Sequence, residues 1–208
     1  MKTLVEIYQS IISTSSGGVY IDERNIADLQ IEKKIHEGRA MFLSQQYLSR
    51  RNYIHPDWVQ RFYPEFQQEI QEDECYTKFR CPGFVSFSSK RDGIVFVGSG
   101  HTAFTRLTDR GALSNAMAHP ISRKIRKPLF IYNNGEIEIW SKGEVKDIMV
   151  IGVFADPTDI PTYSKQKDNY PCDPETVAML EEWVFKTVAG IEYKTPADNV
   201  ADSATKLQ

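Results

Sequence analysis

The feature that most constrains this chain is Asn133-Asn134-Gly135, set between Leu129-Phe130-Ile131-Tyr132 and Glu136-Ile137-Glu138-Ile139-Trp140. A two-residue hairpin turn of type I′ needs positive φ at both central positions, and Asn-Gly meets that need best. With Asn134-Gly135 as the turn, Phe130 and Tyr132 lie opposite Ile139 and Ile137 on one apolar face. Glu136 and Glu138 then point to the other face, as on a strand surface open to solvent. A break at Ser141-Lys142-Gly143 returns the chain to Val145 and the run Ile148-Met149-Val150-Ile151-Gly152-Val153-Phe154, which Asp156-Pro157 ends. That run is apolar at successive positions, which predicts a strand covered on both faces. The expectation is a three-stranded antiparallel meander whose last strand is central to the core.

Around it the pattern is mixed. Leu4, Ile7, Tyr8, Ile11 and Ile12 recur at helical spacing, and Ser13 to Gly18 stops the first helix. Asp22 is a candidate N-cap for a longer second helix, with Ala27, Ile31, Ile35, Gly38 and Phe42 on one face and the pattern running on to about Arg51. Pro56 suits the first turn of a short helix that sets Trp58 and Phe62 one turn apart. Pro64 allows another from Glu65 to about Gln71. From Tyr76 the texture turns to strands: 76–80, 84–87, 94–97 and a segment within 102–108, separated by Pro82-Gly83 and Asp92-Gly93. Asp109 to Arg126 has no period and reads as a long irregular excursion. Thr158 to Pro171 reads as a polar connector. Asp173 and Pro174 then open a terminal helix as N-cap and N1, with Val177, Leu180, Val184 and Val188 on one face, and Gly190 suited to its cap. The tail from Glu192 to Gln208 is polar and without periodicity, a composition that orders on a partner.

The fold class expected is α+β: N-terminal helices, a β-rich central antiparallel sheet or sandwich, and a C-terminal helix with an extended tail. Residues 1–74 form the helical part, 75–157 the β-rich part and 158–208 the connector, helix and tail, within one compact domain with appendages. A chain of 208 residues is long enough for a sizeable core. No apolar run approaches the roughly 20 residues of a membrane span, so no membrane partner is expected. Three cysteines, Cys75, Cys81 and Cys172, make no disulfide framework and suit a reducing cytoplasm. A net charge of −3 argues against a protein that coats nucleic acid.

Signatures of catalysis are weak. Val97-Gly98-Ser99-Gly100-His101-Thr102 lacks the Gly-Lys-Ser/Thr ending of a phosphate loop and leads into no helix, so it reads as a turn between strands. His36, His55, His101 and His119 are scattered, and Cys75 and Cys81 are too far apart for a Cys-x-x-Cys pair. Glu136, Glu138 and Lys142 are the one enzymatic suspicion, because a nuclease sets acidic metal ligands and a lysine on adjacent strands. Strand alternation accounts for them more simply. Trp58, Trp140 and Trp183 are candidate partner anchors or core. Glu69, Glu72, Asp73 and Glu74, and Arg123, Lys124, Arg126 and Lys127, are the densest charge clusters of each sign.

The order of elements then matters: N-terminal helices, the His55-Pro56-Asp57-Trp58 segment, a β-rich insert, Tyr170-Pro171, a terminal helix and the Thr195-Pro196-Ala197-Asp198-Asn199 tail. This arrangement resembles virion ring proteins of crAss-like tailed phages, which stack beneath the portal. More loosely it is similar to head-to-tail adaptors of other short-tailed phages, a mainly helical family from which the β-rich middle departs. The resemblance implies a structural virion protein made in the host cytoplasm, without cofactor or catalytic residues. It implies a homo-oligomeric ring, twelvefold to match a portal, in contact with the portal, other tail rings and passing DNA. The candidate contact residues are the two charge clusters together with Trp183, Tyr193, Thr195 and Pro196. The readings set against it are a metal-dependent nuclease or other DNA-processing enzyme, and a small host-side binding module.

Overall fold

The computed structural model describes residues 1–15, 28–71, 74–89, 91–118 and 127–192. Two helices come first, α1 (Leu4–Ser15) and α2 (Asp28–Ser49). The strands β1 (Gln60–Phe62), β2 (Gln67–Gln71), β3 (Glu74–Arg80), β4 (Ser86–Ser88), β5 (Arg91–Asp92), β6 (Ile94–Ser99), β7 (Thr102–Ala103) and β8 (Thr105–Arg106) follow. Then come α3 (Arg110–Ala118), β9 (Leu129–Asn133), β10 (Glu136–Ser141), β11 (Ile148–Gly152) and α4 (Pro174–Glu192). The class is α+β. The chain divides into two compact units: the described parts of Met1–Asp57 and Ser164–Gln208 make one, and Trp58–Tyr163 the other.

The first unit is helical. α4 packs on both α1 and α2. Ile31, Ile35, Gly38 and Phe42 of α2 are buried as one face, and Val177, Leu180 and Val184 of α4 are buried with them. Asp173 caps α4 as its sequence predicts, accepting from the Thr176 N–H at 3.0 Å and the Thr176 hydroxyl at 2.8 Å. Gly190 does not end the helix, which runs on to Glu192. α2 stops at Ser49, before the expected Arg51; Arg51 and Asn52 both take positive φ there. The expected cap Asp22, and Ala27, lie outside the described residues. The segment before α4 is no bare connector. Tyr170 is fully buried, its hydroxyl 2.8 Å from His36 Nδ1, and the buried Arg39 donates from Nε to the Pro171 carbonyl at 2.8 Å. A phenol and a guanidinium carry apolar bodies, so a stretch that reads as polar still packs.

The second unit is a sandwich of two sheets ordered β1-β11-β6-β7 and β2-β3-β10-β9-β8, with β4-β5 as a separate ribbon. Ile94, Val97, Ile148 and Val150 from one sheet share a core with Phe79, Phe130, Ile137 and Ile139 from the other. The hairpin β9–β10 has the expected register, Ile137 opposite Tyr132 and Ile139 opposite Phe130. Asn134 (φ +49°) and Gly135 (φ +82°) supply its turn.

The meander does not continue from there. β10 pairs on its far side with β3, and β11 crosses to the other sheet between β1 and β6. Long-range pairing leaves no mark on the local pattern. It also overturns both short helices. Pro56–Trp58 is a single 3-10 turn, and Phe62 lies on β1, buried like Trp58. The segment expected as a helix from Glu65 is β2, which pairs with β3 along its whole length. Gln and Glu favour helices only weakly, and the ladder with Phe66 against Phe79 (ring centroids 6.3 Å) overrides them. The reverse holds at 109–126, where residues 110–118 form α3 because the Asp109 carboxylate accepts the Ala112 N–H at 2.7 Å. Phe84 is no part of a strand; it makes one bridge to Phe154 and stacks on it, centroids 4.8 Å apart. The strand expected within 102–108 is two short ones, divided where Phe104 turns inward.

Candidate interaction face

The outer surface of the five-stranded sheet collects the chemically most active groups. Alternation puts Tyr76, Lys78 and Arg80 of β3, Trp140, Glu138 and Glu136 of β10, and Leu129, Ile131 and Asn133 of β9 on one face, in three adjacent rows. Glu69 of β2 stands opposite Tyr76 at the margin. The Tyr76 and Trp140 rings are cross-strand neighbours, centroids 5.4 Å apart and tilted by 47°. Both are half-buried.

Beside them are two ion pairs. Lys78 Nζ meets Glu136 Oε2 at 2.7 Å, and Arg110 Nη2, from the first turn of α3, donates to Glu138 Oε1 at 2.7 Å. Pairing with Glu136 raises the Lys78 ammonium above its ordinary value, and pairing with Glu138 does the same for Arg110. Burial pushes the Tyr76 phenol up, and the nearby Glu138 charge adds to it. Glu138 is therefore not on the solvent-facing surface that alternation predicts. Its side chain is only 9% exposed, and among the described residues Oε2 has no hydrogen-bond partner. Ile131 and Leu113 are buried as well, so the α3 side of this face is covered while the β2–β3 side is open.

As a metal-ligand set the arrangement fits poorly. Glu136 and Glu138 each already face a cation, and Lys142 is exposed in the bend after β10. Among the described residues no three His, Cys, Asp or Glu side chains converge. The Gly98-Ser99-Gly100 stretch ends β6 and turns into β7, Ser99 opposite Thr102.

The predicted contact residues divide. Glu69 is exposed on β2 and Glu74 opens β3, while Glu72 and Asp73 lie outside the described residues. Lys127 is exposed just before β9, while Arg123, Lys124 and Arg126 lie outside them, as do Tyr193, Thr195 and Pro196. Glu74 pairs with Gln71, Cys75 with Ser141 and Trp140 with Leu129, so Glu74 and Lys127 belong to the same end of one sheet. They flank β10 on opposite sides. Trp183 is half-buried, edge-on to Phe42 with centroids 6.4 Å apart. The Tyr76–Trp140 face itself is missed by sequence reasoning; the alternation of both strands was the available signal, but not their pairing. A groove of about 850 Å³ is walled by α1 and the start of α4, including Tyr8, Ile12, Pro174 and Val177; none of the predicted contact residues among the described ones lines it.

Among the described residues no helix is long and apolar enough to cross a membrane. No family model matches the chain, and no curated protein matches its sequence.

Proposed function

We propose that this chain is a structural protein of a tailed-phage particle, one subunit of a ring in the head-to-tail connector below the portal. It supports tail assembly and genome passage and performs no catalysis. The observation that carries this reading is the polarity of the five-stranded sheet: Glu69 of β2, from the acidic run of the sequence, is on one side of β10, and Lys127, from the basic run, leads into β9 on the other. A ring needs heterologous contacts, in which one surface of each copy meets a different surface of the next. Charges of opposite sign on two flanks of one element provide such a pair and orient it. The face between them carries Tyr76, Trp140 and Arg110, residue types enriched at interface centres.

Mass photometry and electron microscopy of the purified chain, alone and with a portal, test the proposal. Closed rings, or rings that form on the portal, are the expected result. A chain that stays monomeric in both conditions at micromolar concentration overturns it.

A further inference from the structure

We infer that the outer face of the four-stranded sheet β1-β11-β6-β7 is a contact with a second copy of the chain, made about a two-fold axis that sets Arg61 of each copy on Tyr63 of the other. The contact is separate from the head-to-tail contacts of a ring and does not depend on them.

The apolar run of β11 predicts a strand covered on both faces, and the core covers one. Ile148 and Val150 lie between the two sheets, while Met149 and Ile151 point the other way and are half open. Their neighbours are of the same kind. Arg61 of β1 and Phe96 of β6 flank Ile151 in one row, and Gly98 stands beside Met149 in the next. Tyr63, one residue past β1, continues the register into the row of Met149. A Cβ at position 98 would stand 2.7 Å from Phe96 Cε1, so the glycine lets the Phe96 ring lie along β6 over it. Val95 is the extra residue of a bulge, since Ile151 is opposite Phe96 and Gly152 opposite Ile94. Tyr63 is 55% exposed and Val95 49%, and among the described residues these are the exposed large apolar side chains of this unit. The strand residues of the face carry one charge, Arg61, which is exposed. Aromatic, methionine and arginine side chains with few other charges are the composition of an interface centre.

The occupant follows from the two rows. A two-fold axis lying in the face, across the strands and between the rows, turns each row onto the other. Arg61 then meets the Tyr63 ring of the second copy, Ile151 meets Met149, and the Phe96 ring over Gly98 stacks on its own counterpart. A guanidinium is attracted to an exposed aromatic face. The surface is thus its own complement, which an isologous contact requires. Facing sheets pack about 10 Å apart with their strands within about 30° of alignment. Two rows on four strands make a small interface, so the dimer is weak, with a Kd of about 10–100 µM.

Sedimentation velocity of the full chain, from about 1 to about 500 µM, measures it. Arg61→Ala and Tyr63→Ala, both at exposed positions, are each expected to raise the dimer Kd about fivefold or more. The double variant should raise it by less than the product of the two, because the residues act as a pair. Cross-linking fixes the axis, since the native cysteines are buried. In a mixture of Met149→Cys and Ile151→Cys chains, a short bismaleimide should link one variant to the other in preference to itself. Exposed-site variants that dimerise like the parent, links formed equally within each variant, or a parent that stays monomeric at the highest concentration overturn the inference. Ring assembly uses other surfaces and is scored separately on the portal.

Discussion

Trp183 on α4 meets Phe42 on α2 edge to face, with Gly38 one turn earlier on α2 beneath both Leu180 and the indole. A Cβ at position 38 would stand 2.7 Å from Leu180 Cδ1 and 2.8 Å from the Trp183 ring. The glycine is there so that α2 and α4 can approach, against its poor helix propensity. Gly38→Val is expected to destabilise the protein by about 1–3 kcal/mol through overpacking. Chemical denaturation followed by tryptophan fluorescence checks it, and a midpoint equal to the parent's would mean that the helices have room to spare.

The turn of β9–β10 makes a separate demand. Gly135 has φ +82°, where an L-residue with a branched side chain is strained by about 1–2 kcal/mol. Gly135→Val should lower stability by about 1 kcal/mol or more. Gly143, whose added Cβ would meet nothing within 4 Å and which does not take positive φ, is the control site, and the same substitution there should cost less.

These two glycines mark what was legible in the sequence. Asn134-Gly135 dictates its own geometry locally, and so do Asp173-Pro174 at the start of α4 and the alternation that sets the hairpin register. Gly38 was readable as a member of the α2 face but not as a point of close approach, because Trp183 and Leu180 are more than 140 residues away. The same distance effect hid the pairing of β10 with β3 and the departure of β11 to the other sheet. It also hid β2, whose Gln-Gln-Glu run takes its conformation from β3. The candidate face was half legible. Trp140, Glu136 and Glu138 were each visible, but Tyr76 and Arg110 reach them only through the sheet pairing and through α3, a helix in a stretch whose sequence shows no apolar period.

The cysteines predict a response to alkali. Burial pushes the thiols of Cys81 and Cys172 up to about 12 from an ordinary 9.0; for Cys172 the Arg39 charge opposes this and Asp173 adds to it. Because the folded values are raised, the folded state retains protons that the unfolded chain loses. The contribution to stability is complete below about pH 9 and declines as the pH rises through the interval up to about 12. The denaturation midpoint should therefore fall between pH 9 and pH 11, less steeply in Cys81→Ala or Cys172→Ala. Native thiols should also resist iodoacetamide at pH 8, since the thiolate is the reactive form. Rapid alkylation of the folded chain at either position would show that the site opens.

Charge reversal tests how copies orient. Glu69 on β2 and Leu129 on β9, two residues after Lys127, stand in one row of the sheet three strand steps apart, or about 14 Å at the usual strand spacing. That exceeds the Debye length of about 8–10 Å at physiological salt, so within one copy the clusters are largely screened from each other. In the proposed head-to-tail ring the two runs would come into direct range between copies. Individual pairs at a solvated rim contribute only about 0–1 kcal/mol, so the effect belongs to assembly rate and salt sensitivity more than to subunit stability. Reversing Arg123, Lys124, Arg126 and Lys127 to glutamate is expected to slow assembly strongly at low salt and to leave the melting temperature close to the parent's. Reversing Glu69, Glu72, Asp73 and Glu74 to lysine should do the same. A one-to-one mixture of the two variants restores assembly, because each interface then pairs an all-acidic copy with an all-basic one. If both variants assemble like the parent from low to high salt, the clusters do not steer. If the parent binds DNA and only the basic-to-acidic variant loses it, the basic stretch faces the passing genome and not a neighbouring copy.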